Sequence, residues 1–150
     1  MTDLERRLAR LEAESDIQKL RYRYWFAILD KDVNALVNCF TPDAFLEYGM
    51  GIELSGTEAI RSFFDMVLHS EDLVKQMPRG ANGLLDITSD TTASGRWLVQ
   101  VILLRHSEQV GSRINVQYFE NYEKIDGEWK IKRMKNDYLS YENIEPRDGP

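Results

Sequence analysis

The feature that most constrains this chain is the division of its secondary-structure signals into a helical first half and a strand-rich second half. The segment from Ile17 to Leu29 carries apolar residues around almost its whole circumference, so as a helix it must be buried nearly all round. After residue 84, β-branched and aromatic runs alternate with turn signals, of which Asp126-Gly127 is the strongest. Helices followed by strands in this order predict an α+β domain.

Composition and charge exclude several classes of protein. The 150 residues are 43% apolar and 29% charged, which is typical of one folded domain and excludes disordered and membrane classes. The net charge of −6 argues against a nucleic-acid partner. No signal-peptide pattern opens the chain, so we expect a cytoplasmic protein. Cys39 is alone, and His69 and His106 have no partners at ligand spacing, so neither a disulfide nor a metal site is expected.

The chain divides into three parts by pattern. Residues 1–14 form a helix with a narrow stripe of Leu4, Leu8 and Leu11, which suits docking on a neighbouring chain and predicts a homodimer or homotrimer. Ser15 resembles the cap of a second helix, so the main domain is expected at residues 15–141. Residues 142–150 are expected to be a disordered tail.

Pro42 indicates a break before a strand at Ala44–Tyr48, and a further amphipathic helix follows Ser55. The segment from Ser70 to Gly83 holds Pro78, Gly80 and Gly83 without periodicity and is predicted to be a loop that is long enough to serve as a lid. The remaining strands are expected at Leu84–Ile87, Ala93–Arg105, Ser112–Lys124 and Trp129–Tyr138.

Several stretches of the chain carry a family resemblance. They are Tyr24–Asp30 with Ala35–Ala44, Gly56–Phe63, Thr92–Trp97 and Tyr122–Lys130. In this order they resemble the SnoaL-like branch of the NTF2-like superfamily, which includes scytalone dehydratase and bile-acid 7α-dehydratase. The resemblance covers roughly residues 4 to 142. It implies a cone-shaped α+β barrel, also called cystatin-like, with N-terminal helices packed on a curved antiparallel sheet.

The resemblance also implies a pocket used for cofactor-independent lyase, isomerase or cyclase chemistry on hydrophobic rings. Asp30 matches the family's aspartate at the end of the second helix, and Tyr48 matches a substrate-side tyrosine. The family's loop histidine has no counterpart in Met77–Ala81. A carboxylate held against an apolar cavity has a raised pKa, which would make Asp30 a general base. The alternative is that Asp30 is a solvated residue at the C-terminus of a helix.

Two tyrosines are candidates to stabilise an oxygen anion. Tyr24 and Tyr48 could donate hydrogen bonds to an enolate, or they could be ordinary core residues. Trp25 competes with Tyr24 for the position that faces the pocket. Tyr118 and Glu120 share one face of a strand, which faces either the pocket or, as the pattern slightly favours for Glu120, solvent.

Three more side chains are candidates for substrate binding. Gln100 interrupts an apolar run, where an amide needs a hydrogen-bond partner or a ligand. Arg79 could hold an anionic group, although a loop arginine is more often solvated. Tyr138 lies where the family resemblance implies a late arginine.

Two functions remain open from the sequence. The first is a small enzyme, a lyase or isomerase, that transfers a proton on a polyketide-like, steroid-like or aromatic molecule through Asp30, Tyr48 and Tyr24. The second is a non-catalytic module for ligand binding or assembly, which the missing histidine favours. Neither function requires a cofactor, a nucleic acid or a membrane. Convergence of Asp30 and Tyr48 on one cavity would favour the enzyme.

Overall fold

The computed structural model describes residues 1–108 and 110–144. Within them lie three helices: α1 (Asp3–Leu29), α2 (Val33–Val37) and α3 (Gly56–Leu68). The strands are β1 (Phe40–Gly49), β2 (Ile52–Ser55), β3 (Leu73–Ile87), β4 (Thr92–Arg105), β5 (Gly111–Ile125) and β6 (Glu128–Ile144).

The strands form one curved sheet in the order β2-β1-β6-β5-β4-β3. All neighbours are antiparallel except β1 and β6, which pair in parallel. Side chains along β4 and β5 point alternately to the inner and the outer face of the sheet. Those that point inward include Val99, Val101, Val116 and Tyr118. Helices α1 and α3 cover that inner face, which confirms the predicted α+β architecture. The sheet was expected to be antiparallel throughout, and the parallel pair of β1 and β6 corrects that expectation.

The N-terminal segment is part of one long helix. A capping box between Thr2 and Glu5 starts α1, and the helix continues to Leu29 without the expected second start at Ser15. A serine inside a helix costs only a few tenths of a kcal/mol, which is less than breaking the backbone hydrogen-bond ladder. The proposed boundary between residues 14 and 15 therefore falls inside a continuous element, although Ala13 is the first buried residue of the chain.

The segment predicted to be a lid is a strand. Residues 73–83 belong to β3, which pairs with β4 on both sides of a register shift between Ala81 and Leu84, so the loop prediction for Ser70–Gly83 is wrong. Its glycines have a packing role: a side chain at Gly80 would overlap the ring of Trp25, and one at Gly83 would overlap Trp97. The strand needs glycine because two tryptophans press against its backbone.

We therefore expect Gly80→Ala to lower the free energy of unfolding by about 1–3 kcal/mol, the usual cost of overpacking a core. The exposed neighbour Ala81 provides the control, since Ala81→Ser meets no such ring. Urea unfolding measures both. Equal stabilities for the two variants would contradict the close packing of Trp25 on Gly80.

The C-terminal tail lies partly within the sheet. Residues 142–144 complete β6, and Glu142 pairs with Arg113 of β5. Residues 145–150, the rest of the tail predicted to be disordered, lie outside the described residues. No helix in the described part of the chain is long and apolar enough to cross a membrane.

Candidate functional site

A cavity of about 470 Å³ lies between α3 and the inner face of the sheet. Its walls are mostly apolar and come from α3 and from strands β4 and β5; they include Phe63, Met66, Val67, Val101, Leu103, Ile114 and Val116. Polar groups at its edge are few: Ser70, Gln76 and Arg105. A cavity of this size and lining is typical of a site for a small, largely apolar molecule.

Tyrosines supply the polar groups inside this cavity. Tyr48, Tyr118 and Tyr138 line it. The ring of Tyr48 packs edge-on against Phe63 and Phe64, with centroids 5.2 and 5.6 Å away. Tyr138 is partly exposed, and its hydroxyl donates to the backbone carbonyl of Tyr48 over 3.2 Å. The phenols of Tyr48 and Tyr138 are therefore held by their neighbours at the apolar wall.

Tyr24 is completely buried beside these phenols. Its ring packs against Phe40 and Phe64, and its hydroxyl has no hydrogen-bond partner among the described residues. Burial raises the pKa of Tyr24 and of Tyr118 well above the usual value, and it also raises that of Tyr48. All three hydroxyls therefore stay protonated near neutral pH and are available as donors.

A buried ion pair lies deeper in the cone. Nη1 of Arg21 on α1 lies 3.0 Å from Oε1 of Glu120 on β5, and neither side chain is exposed to solvent. The other carboxylate oxygen of Glu120 accepts from the hydroxyl of Tyr122. That hydroxyl in turn accepts from Nε1 of Trp97 over 2.9 Å. The carboxylate thus ends a chain of buried hydrogen bonds.

Aromatic faces surround the cation. The guanidinium carbon of Arg21 lies 4.5 Å from the ring centroid of Tyr24, 4.6 Å from that of Trp25 and 5.1 Å from that of Tyr118. Such contacts stabilise a desolvated cation. Nε and Nη2 of Arg21 have no hydrogen-bond partner in the described part of the chain. The interior is therefore rich in donors and poor in acceptors.

Burial shifts the pKa values of the pair in a defined direction. Burial raises the pKa of the Glu120 carboxyl group, and the Arg21 guanidinium opposes part of that rise. Burial, the largest single effect, would lower the pKa of Arg21, but interactions with Glu120 and with the nearby Tyr122, Tyr24 and Tyr118 together outweigh it, and the pKa is raised. Arg21 therefore remains charged, and Glu120 is a weaker acid than a solvated glutamic acid.

The structure corrects the prediction for Asp30. Asp30 caps the C-terminus of α1 and is exposed, and it lines an outer groove instead of the cavity that holds Tyr48. It lies four residues after Phe26 and eight after Tyr22, so all three share one exposed stripe of the helix. Tyr24 and Ile28 lie on the opposite, buried side. Asp30 and Tyr48 therefore do not converge.

The other predicted site residues are dispersed. Trp25 is buried under Gly80 and packs against Trp97 at 5.5 Å, away from the cavity lining. Arg79 is exposed on β3 and does not line the cavity. Gln100 lies on the outer face of the sheet, where its Nε2 donates to Oδ1 of Asn115 over 3.2 Å. The slight preference for a solvated Glu120 is wrong, since this residue is 3% exposed.

Sequence reasoning missed Arg21. The expectation that this segment is buried nearly all round is wrong, because Tyr22 and Phe26 are exposed. Arg21 lies four residues after Ile17 and three before Tyr24, on the buried side of the helix, and that spacing was the available signal. A buried cation needs a partner, and Glu120 is the acidic residue on the inward face of β5. Pairing the two would have required knowing which face of β5 points inward.

Comparisons with known proteins identify the class of protein. The model of the SnoaL-like domain matches residues 9–135. A protein from Novosphingobium aromaticivorans, provisionally named a scytalone dehydratase, superposes with a TM-score of 0.85 at 21% identity, over 93% of this chain and 92% of its own. A type 2 hexachlorocyclohexane dehydrochlorinase, LinA, gives a TM-score of 0.83 at 21% identity, over 95% and 97%.

A type 3 dehydrochlorinase of the same name from Novosphingobium barchaimii is similar to the same extent, with a TM-score of 0.81, 20% identity and coverage of 95% and 99%. At these identities the solved structures show the fold, which is the cystatin-like cone predicted from the sequence. The family model spans most of the chain, so this protein belongs to the SnoaL-like family.

We expect Arg21→Met to lower the free energy of unfolding by about 3–5 kcal/mol, because Glu120 is left as an uncompensated buried charge. Arg21→Met combined with Glu120→Gln should recover most of that loss, since no charge remains and Tyr122 keeps an acceptor. Chemical denaturation measures both. Arg6 in the same helix pairs with Asp3 at the surface, so Arg6→Met should cost at most about 1 kcal/mol. A loss for Arg21→Met no larger than this control would contradict a structural role for the pair.

Proposed function

We propose that this protein binds a hydrophobic, cyclic small molecule in the 470 Å³ cavity and transfers a proton on it without a cofactor. The reaction would be of the isomerase, cyclase or dehydratase type. The observation that carries the proposal is the combination of apolar walls with the phenols of Tyr48 and Tyr118. Apolar walls select a ring system, and the few polar groups orient its oxygen.

The phenols would stabilise negative charge on that oxygen. When a C–H bond next to a carbonyl loses its proton, charge develops on the carbonyl oxygen. Fixed donors stabilise this charge strongly where water is excluded. The cation of Arg21 lies against the ring of Tyr118 and favours an anion on the same side of the fold. Tyr48 and Tyr118 would therefore act as the oxyanion site, with Tyr24 behind them.

A proton acceptor is the second requirement. Among the described residues that line the cavity there is no aspartate, glutamate or histidine. Glu120 lies two residues from Tyr118 on the same inward face of β5, and its raised pKa suits a general base better than that of a solvated carboxylate. We therefore assign Glu120 the role that the sequence suggested for Asp30. In an isomerisation the proton returns to another carbon of the same molecule. In an aldol-type cyclisation it ends on the oxygen of the carbonyl that the new C–C bond forms to, and in a dehydration it leaves with the hydroxyl group as water.

Binding without catalysis is the second candidate function. The same absence of a carboxylate or imidazole group from the described cavity lining favours it. A binding protein would need the apolar walls and the phenols but not an ionised Glu120. The two candidates therefore make different predictions for substitution of Glu120.

Tyr48→Phe tests the binding site. We expect wild-type protein to bind 2-naphthol, and the variant to bind it about 5- to 10-fold more weakly, because one neutral hydrogen bond contributes about 1 kcal/mol. Naphthalene, which has no hydroxyl group, should bind both equally. Fluorescence titration measures all four affinities. Tyr22→Phe removes a hydroxyl outside the cavity and is the control. Equal losses for both ligands would contradict the assigned donor.

Glu120→Gln tests catalysis. We expect wild-type protein to accelerate exchange of the C1 hydrogen of 2-tetralone for deuterium, which NMR follows. General-base catalysis contributes roughly 10²- to 10⁴-fold, so the variant should lose at least about 10²-fold. Because Glu120→Gln leaves Arg21 as an unpaired buried cation, it is compared with Arg21→Met combined with Glu120→Gln, which holds no buried charge. Both variants should still bind 2-naphthol. If wild-type protein binds 2-naphthol but exchanges the hydrogen of 2-tetralone no faster than buffer alone does, the catalytic proposal is rejected in favour of the binding function.

A further inference from the structure

The first part of α1 extends beyond the folded body. Residues 1–12 are all exposed, and the first buried residue is Ala13. This segment includes large apolar side chains: Leu4 is 73% exposed, Leu8 is 54% and Leu11 is 63%. A helix that projects with its leucines in water is typical of a surface that another chain covers.

These side chains follow coiled-coil spacing. Met1, Leu4, Leu8 and Leu11 are separated by three, four and three residues, which are the a and d positions of two heptads. At 100° per residue this stripe lies on the side of α1 opposite to Ile17, Leu20 and Tyr24, which pack on the sheet. Two copies could thus join through their stripes while their folded bodies lie on opposite sides.

The flanking charges distinguish the possible orientations. In this register Arg7 is a g position and Glu12 is the e position that follows it, so a parallel pair places Arg7 of each chain beside Glu12 of the other. An antiparallel pair sets e against e and g against g, which brings Arg7 against Arg7 and Glu5 against Glu5. The charges are therefore complementary only in the parallel arrangement.

Arg7 and Glu12 make no ion pair with any other residue that the structure describes, whereas Arg6 and Arg10 pair within their own helix. We propose that the stripe of Met1, Leu4, Leu8 and Leu11 is an interface with a second copy of this chain, with the two α1 helices parallel and in register. The interface is independent of the cavity and of the function proposed for it. The partner is assigned as a second copy of this chain because Arg7 of one copy is complementary in charge to Glu12 of the other.

Sedimentation velocity tests the interface. Wild-type protein should sediment as a dimer at concentrations where Leu8→Glu sediments as a monomer. Leu139 has the same exposure as Leu8, 54%, but lies on β6, so Leu139→Glu should remain dimeric. A monomeric wild type, or dissociation by Leu139→Glu but not by Leu8→Glu, would overturn the proposal. Unchanged circular dichroism shows that each variant is folded.

Charge exchange tests the orientation. Arg7→Glu and Glu12→Arg should each weaken association about 3- to 10-fold, because each places like charges side by side. The double variant should restore association. Failure of the double variant to recover would contradict the parallel register.

Cross-linking provides a second measure of the register. In a parallel pair, Leu4→Cys faces its own copy and should form a covalent dimer under mild oxidation. Cys39 is buried, and burial raises its pKa to about 11, so wild-type protein should not cross-link. If Leu4→Cys protein sediments as a dimer but forms no covalent dimer under oxidation, the parallel pair is contradicted.

Discussion

The ion pair between Arg21 and Glu120 ties the two halves of this fold together. Arg21 comes from the long helix and Glu120 from the middle of the sheet, and neither side chain reaches solvent. Removing two charges from water costs several kcal/mol each, so the pair persists only where its surroundings compensate. Here the aromatic rings around Arg21 and the hydrogen bond from Tyr122 do so. The pair thereby fixes the rotation of α1 about its axis, and with it the position of Tyr24.

Local patterns made much of the fold predictable. The apolar segment from Ile17 to Leu29, the Asp126-Gly127 turn and the long strands after residue 90 are each encoded within a short stretch of sequence. The strand β3 was not predictable in this way. Its glycines indicate a loop when the segment is considered alone, and they become intelligible only when Trp25 and Trp97 are seen to pack on them.

The site was predictable in part for a similar reason. Tyr48 lies on the wall of the cavity, as the family resemblance implied, and so does Tyr118, for which the pattern of β5 left the direction open. Asp30 was misplaced because a motif match fixes a residue's position along a helix but not its rotation. In the structure, the exposed side chains of Tyr22 and Phe26 mark the side of the helix on which Asp30 lies. Glu120 required the inward face of β5 to be known, since its neighbours Phe119 and Asn121 do not form a clearly polar face.

The sheet has two free edges, and their shapes limit how the protein can associate. One edge is β2, which has only four residues. The other is β3, where Pro78 lacks a backbone donor and the register shifts between Ala81 and Leu84. Neither edge offers a long, regular row of unpaired amides to a strand from another molecule. Polymerisation by strand addition is therefore disfavoured, and contacts between molecules depend on side chains.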